Sequence, residues 1–169
     1  MRHAKVLIVA MVLCGTGLLA AGGPALAKGY EGVDVAHARQ HVRAAQRDLA
    51  RAQARLREAR TVLDATRRYT TIYGSSVGRW VWLSSDVGWR KPQWPTLFCV
   101  IERESGGSPG IDNSQGSGAA GLLQLMPGWY TGQWPIAGKP RVFDPHDPRL
   151  NLKYGHLIWH SSGFSPWNM

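Results

Sequence analysis

A mainly helical chain is predicted by three observations. Large apolar residues recur every seven positions from Val35 to Leu63. Leu97, Val100 and Ile101 fall at helical spacing and lead to Glu104, and Asp147-Pro148 opens a third run through Leu150, Tyr154, Leu157 and Ile158. These runs divide the chain into residues 1–27, a leader; 28–72, a basic heptad helix; 73–95, a Trp-rich connection; and 96–169, a helical domain with shaped loops.

The leader is read from Arg2 and Lys5, the apolar run Val6 to Ala21 and the small-x-small triplet Ala25-Leu26-Ala27. Together they have the layout of an export signal cleaved before Lys28. Leu13 precedes Cys14 where lipid attachment wants a small residue, so a lipidated form is not expected. Once Cys14 has left with the signal, Cys99 stands alone and no intrachain disulfide can form. Its neighbours Phe98 and Val100 make it a small core residue rather than a catalytic thiol. Export leaves 18 Lys and Arg against 11 Asp and Glu, a net charge of +7. That sign predicts a secreted protein held near an anionic cell wall, with anionic wall polymers as partners. No nucleic acid is expected, because no zinc-finger, homeodomain or RNP signature occurs.

Between Asp34 and Tyr69, Val35, Val42, Leu49, Leu56 and Leu63 are seven apart, each followed three residues later by Ala38, Ala45, Ala52, Ala59 or Thr66. This is the pattern of a coiled-coil seam, on a helix about 50 Å long. A single stripe must be covered by something: a second copy, giving a homodimer through residues 34–69, the C-terminal domain, or an anionic partner. Arg39, Arg43, Arg47, Arg51 and Arg55 form a basic ridge beside it, which reads as a solvated face or as a wall or membrane contact. In the connection, Trp80, Trp82, Trp89 and Trp94 are expected to pack on the domain that follows, with sugar stacking the sharper alternative.

In the C-terminal domain Thr96 is the expected N-cap of a helix ending at Glu104-Ser105, stopped by Gly106-Gly107. Glu104 continues the apolar stripe into the last turn. Apolar burial and the helix dipole there both disfavour a carboxylate's charge, which suits a general acid. Residues 105–117 form a Gly- and Pro-rich loop carrying Asp112 and Asn113, and Pro127 begins the next helical turn. Gly121 is expected to permit a close backbone approach.

The pairing of Glu104-Ser105-Gly106-Gly107 with Gly118-Ala119-Ala120-Gly121-Leu122-Leu123-Gln124-Leu125-Met126-Pro127 resembles the catalytic segment of soluble-type (SLT) lytic transglycosylases. More distantly it is similar to resuscitation-promoting factors and goose-type lysozymes. The resemblance covers roughly the last 75 residues. It implies a lysozyme-like fold cutting peptidoglycan, with Glu104 as the catalytic acid and Ser105, Asn113, Gly121 and Gln124 around the sugar. The larger enzymes carry a later Ala-Tyr-Asn segment; this chain ends instead in Gly163-Phe164-Ser165-Pro166-Trp167, closer to short actinobacterial versions.

Most glycosidases need a second carboxylate, and Glu102, Asp112, Asp144 and Asp147 each have a plainer role on the surface, in a loop or in a turn. A single acid is what the resemblance implies for a lytic transglycosylase: the substrate's N-acetyl group assists and a 1,6-anhydro sugar forms. Three alternatives stay open. Glu104 could be a buried carboxylate satisfied by Arg103 or Arg141; the enzyme could be a hydrolytic lysozyme; or the chain could be a wall-binding scaffold that does not cut. His156 and His160, four apart, with His146 elsewhere, lack the intervening Glu of a zinc-protease helix. No metal or other cofactor is expected.

Overall fold

A computed structural model describes residues 35–168, with side chains from Ala36 onward. The expected export signal, its cleavage site and Cys14 lie outside the described residues. The described chain is mainly helical: α1 (Val35–Tyr73), α2 (Ser75–Gly78), α3 (Val81–Asp86), α4 (Trp94–Ser105), α5 (Pro127–Tyr130), α6 (Pro148–Ser162) and a closing 3-10 turn (Ser165–Trp167). Extended pairing among the described residues is limited to isolated bridges such as Asp112 with Ala120 and Thr131 with Val142. No helix among them is long and apolar enough to cross a membrane.

The chain divides into two compact units between Gln46 and Arg47. The described part of the first is helix, with Val42 exposed and the His37 and His41 rings 4.3 Å apart. The second holds everything from Arg47, so the borders expected at 72/73 and 95/96 both fall inside it.

Within the second unit α1 buries a face other than its heptad seam. Ala65 and Tyr69 are buried, Val62 and Tyr73 pack partly against the same core, and the Tyr69 ring lies 4.5 Å from Phe98. Leu49, Leu56 and Leu63 remain 59%, 52% and 49% exposed. The reason is angular: Ala65 is two residues beyond Leu63, about 200° around the helix. The alternative in which the C-terminal domain covers the seam is therefore corrected.

The Trp-rich segment folds as α2 and α3, which pack on α4 and α6 respectively. Trp89 is fully buried and donates Nε1–H to the Leu152 carbonyl at 3.0 Å, while Trp94 donates to the Trp89 carbonyl at 3.2 Å. Both indoles thus satisfy their polar atom inside the core. Trp80 is half-buried, and Trp82, against the packing expectation, is 61% exposed. Helix α4 starts at Trp94 rather than after a Thr96 cap, because Pro95 occupies the first turn, where a missing N–H leaves nothing unsatisfied. Leu97, Phe98, Val100 and Ile101 are buried; Cys99, expected in the core, is half-buried.

Asp147 caps α6 as the sequence predicts, accepting from the N–H groups of Arg149 and Leu150 at 2.8 and 3.1 Å. The inward face is turned from the expected stripe. Asn151, Leu152, Gly155 and Ile158 are buried, and Leu150, Tyr154 and Leu157 are half-buried. Gly155 sets this rotation: a Cβ there would stand 2.2 Å from Leu123 Cδ1.

On the outer side of α6 the His156 ring lies 5.0 Å from Trp89 and 5.8 Å from Trp159. Burial, then the neighbouring His160 and Arg90, hold its pKa below the ordinary 6.5. As pH falls the unfolded chain therefore takes up this proton before the folded one. The stability His156 contributes is present above pH 6.5 and is lost between 6.5 and its lower folded value. Thermal melts should accordingly show the midpoint dropping on acidification below pH 6.5, and His156→Phe should flatten that stretch; an equal slope in the variant would assign the drop to other groups.

Candidate active site

Helix α4 ends where its sequence says it should. Gly106 adopts the left-handed conformation at φ 57° and donates its N–H to the Glu102 carbonyl at 2.9 Å. Gly107 (φ 80°) follows, pressed so closely on the Ser76 backbone that a Cβ would lie 2.3 Å from its carbonyl oxygen. The same Gly107 carbonyl accepts from Trp80 Nε1 at 2.9 Å and from Arg79 at 3.3 Å. The end of α4 is thus pinned from the side of α2.

Glu104, two residues before this cap, is half-buried with 26% of its side chain exposed, and its Oε1 lies 2.9 Å from an Arg103 guanidinium nitrogen. The expected apolar enclosure is corrected. Glu104 sits at the rim of the core rather than inside it, and its neighbour supplies a cation. Arg103 also donates to the Trp167 carbonyl, so one guanidinium ties the carboxylate to the C-terminal turn. Of the two basic partners considered from sequence, Arg103 is the one in contact. Arg141 instead lies 6.0 Å from the Tyr154 ring.

Ser105 is buried, with Oγ 3.0 Å from the Ile101 carbonyl and 2.9 Å from the Leu122 carbonyl, and it accepts the Gly107 N–H at 3.2 Å. Its hydroxyl is turned inward. It fastens the end of α4 to the segment 118–127.

The segment 118–127 folds into a tight turn in which Ala120 and Leu125 exchange backbone hydrogen bonds at 3.1 and 3.0 Å. Three buried side chains hold its interior peptides. Besides Ser105 on the Leu122 carbonyl, Asn151 accepts the Leu123 N–H at 3.0 Å and donates to the Ala120 and Pro145 carbonyls at 3.2 and 2.8 Å. Trp167 donates Nε1–H to the Leu123 carbonyl at 2.8 Å. Gly121 (φ 79°) meets the expectation of close approach: a Cβ would lie 2.0 Å from the Pro145 carbonyl oxygen and 2.3 Å from Asn151 Nδ2.

Gln124 follows at φ 46°, a left-handed conformation that disfavours any residue with a Cβ. Its Nε2 donates to the Ile111 and Gly121 carbonyls, each at 3.1 Å. It lines a cavity of about 30 Å³ with Leu125, Met126, Trp129, Pro166 and Trp167. Strain of this kind collects where the surroundings hold a side chain in one place for use. Trp129 meets Trp134 edge-on at 5.1 Å, and Trp134 remains 44% exposed.

Asn113 lies one loop further out. Its Oδ1 accepts the Gln115 N–H at 2.8 Å and its N–H donates to the Ala119 carbonyl at 2.8 Å, so it shapes the loop. Asp112 is exposed and sits 2.9 Å from His146 Nε2, whose Nδ1 lies 3.4 Å from Asp144. Burial, with the Asp112 carboxylate adding, pushes the Tyr130 phenol above its usual range; that hydroxyl donates to the Gly118 carbonyl at 2.7 Å. His156 and His160 pair with each other at 4.5 Å, and no group of three ligating side chains able to hold a metal occurs among the described residues.

The structure therefore ties Ser105, the residue after Glu104, to the turn that carries Gly121 and Gln124, and leaves Asn113 on the flanking loop. Sequence reasoning missed Asn151 and the bridging role of Arg103. The signal for Asn151 was present: a carboxamide between Leu150 and Leu152 on a helix otherwise apolar at those positions. A concavity of about 730 Å³ lies between α1 and α3 and does not include Glu104.

Asn151→Leu, which keeps the branched shape and removes both polar atoms, should lower the unfolding free energy by about 2 kcal/mol in urea titrations, since the Leu123 N–H and the Pro145 carbonyl lose their partner while the Ala120 carbonyl keeps the Leu125 N–H. A loss under about 0.5 kcal/mol, the scatter of ordinary surface changes, would mean that water replaces the amide there. No family model, curated protein or solved structure matches this chain.

Proposed function

We propose that the chain is an exported peptidoglycan-cleaving enzyme of lytic transglycosylase type, in which Glu104 breaks the bond between N-acetylmuramic acid and N-acetylglucosamine. The observation that supports this reading most is the Ser105 hydroxyl on the Leu122 carbonyl, which brings the Glu-Ser end of α4 and the Gln124 turn together. The two motifs of the family resemblance are separate in sequence, and a glycosidase site requires them adjacent. The C-terminal part is then a lysozyme-like domain and the heptad stretch of α1 its basic extension.

In this mechanism Glu104 donates a proton to the leaving oxygen, and the substrate's N-acetyl oxygen supports the developing positive charge at C1. The same carboxylate then takes the proton of the C6 hydroxyl as that oxygen closes on C1, giving a 1,6-anhydro end with no water consumed. Arg103 orients Glu104 between these steps, its other bond to the Trp167 carbonyl fixing the guanidinium. Gln124 and Trp129 line one cavity that is too small at about 30 Å³ for a sugar ring, and in this reading they are assigned the polar and aromatic edge of the sugar site.

Purified chain in its exported form and its Glu104→Gln variant, incubated with peptidoglycan and read by mass spectrometry, test the proposal. Anhydro-ended fragments are expected from the parent, with at least a hundredfold loss in the variant. Reducing-end fragments would indicate a hydrolytic lysozyme and direct attention to Asp112 as second carboxylate. No soluble product, with retention on the insoluble wall, would leave a binding scaffold in which the Arg103–Glu104 pair is structural.

A further inference from the structure

The second unit carries an apolar surface that its own core does not use. Leu49, Leu56 and Leu63 lie along one side of α1, each about half exposed, and face away from the side buried through Ala65 and Tyr69. Trp82, the most exposed tryptophan, lines the same 730 Å³ groove as Leu63. Three leucines in water over about four helical turns, with an indole beside them, are a docking surface.

The charge around this stripe selects the occupant. From Arg47 to Tyr73 the helix holds seven arginines (47, 51, 55, 57, 60, 67 and 68) and three acids (48, 58 and 64), so it carries +4. The acids are already engaged: Asp48 with Arg51, Asp64 with Arg67 at 3.9 Å, and Glu58 with Arg90 at 3.8 Å. Among the described residues Arg47, Arg55, Arg57 and Arg60 make no ion pair, and all are exposed. A second copy would bring the same excess of positive charge. In a parallel coiled coil built on this heptad, Arg55 of one helix falls beside Arg60 of the other, and Asp48, the one acid at a flanking position between Arg47 and Tyr73, falls beside Gln53 rather than beside an arginine. An anionic surface with an apolar interior answers both features at once: leucines and the indole enter the headgroup boundary while the arginines meet phosphates, their stems snorkelling.

We propose that the Leu49–Leu56–Leu63 stripe of α1, with Trp82, docks this unit on an anionic lipid surface. The helix lies in the interface plane, and Arg55, Arg57 and Arg60 contact the headgroups. Attachment here leaves the Glu104 turn unused, because none of its residues lines the α1–α3 groove.

The test is co-sedimentation of the exported form, beginning at Lys28, with vesicles of equimolar phosphatidylglycerol and phosphatidylcholine, and with phosphatidylcholine alone. Binding is expected to the first and not to the second, and to fall steeply as salt rises from about 0.1 to about 1 M and the screening length shortens from about 10 Å to about 3 Å. Leu49→Gln/Leu56→Gln/Leu63→Gln should weaken binding at least about tenfold with an unchanged helical circular dichroism signal. Trp82→Ser, on a separate element, should weaken it by a smaller factor. No sedimentation with anionic vesicles overturns the proposal, as does equal sedimentation of the triple variant. A concentration-dependent dimer in analytical ultracentrifugation that the triple variant abolishes also overturns it, and assigns the stripe to a second copy.

Discussion

Everything that gives the candidate site its shape depends on hydrogen bonds to the peptides of residues 120–125 from three buried side chains. Ser105 comes from the end of α4, Asn151 from the first turns of α6 and Trp167 from the C-terminal turn. Each belongs to a different element, so the turn is the point where these elements are locked together. A loop with buried peptides and no ladder partner is costly unless every polar atom is met. Here side chains meet them, and the elements supplying those side chains are held in register as a consequence.

This lock also accounts for the strain at Gln124. The left-handed conformation is tolerable because the turn on either side is over-determined: Gly121 is wedged against Pro145 and Asn151, and Leu125 is paired with Ala120. The side chain then has little freedom, its amide bonded to the Ile111 and Gly121 carbonyls. Glu104 is restrained differently. Its position follows from the helix, but its surroundings are set by Arg103, which reaches both the carboxylate and the Trp167 carbonyl. The carboxylate and the amide are thus coupled through one C-terminal residue, whose indole holds the turn and whose carbonyl holds the arginine.

What the sequence made legible were features with a local cause. The stop at Gly106-Gly107, the Asp147 cap, Pro127 opening α5 and the close approach at Gly121 each follow from one residue's backbone preference, and each is found. What it hid depends on distant partners. Asn151 reads as a stray polar residue until residues 120 and 123 arrive beside it. Glu104 reads as an apolar-face acid until Arg103 folds back over it. The inward face of α6 is turned because Gly155, the smallest residue of the stripe, is where Leu123 packs, and no periodicity of large residues records a contact made through an absent side chain.

Helix α1 extends this contrast. From Arg51 to Arg60 every residue is exposed, yet the segment is helical. Isolated helices of this length are marginal in water, so local terms must carry much of the order: alanines and arginines of high helix propensity and the Asp48–Arg51 pair one turn apart. Such terms need no specific neighbour and leave the seam unspecified. The buried half behaves in the opposite way. Tyr69 packs on Phe98 and Ala65 is buried in the same core, and together they fix the rotation of the helix about its axis. With that rotation fixed, the leucines have no choice of direction. A heptad pattern is therefore displayed outward by packing that does not involve it, and its function is decided by whatever surface meets it.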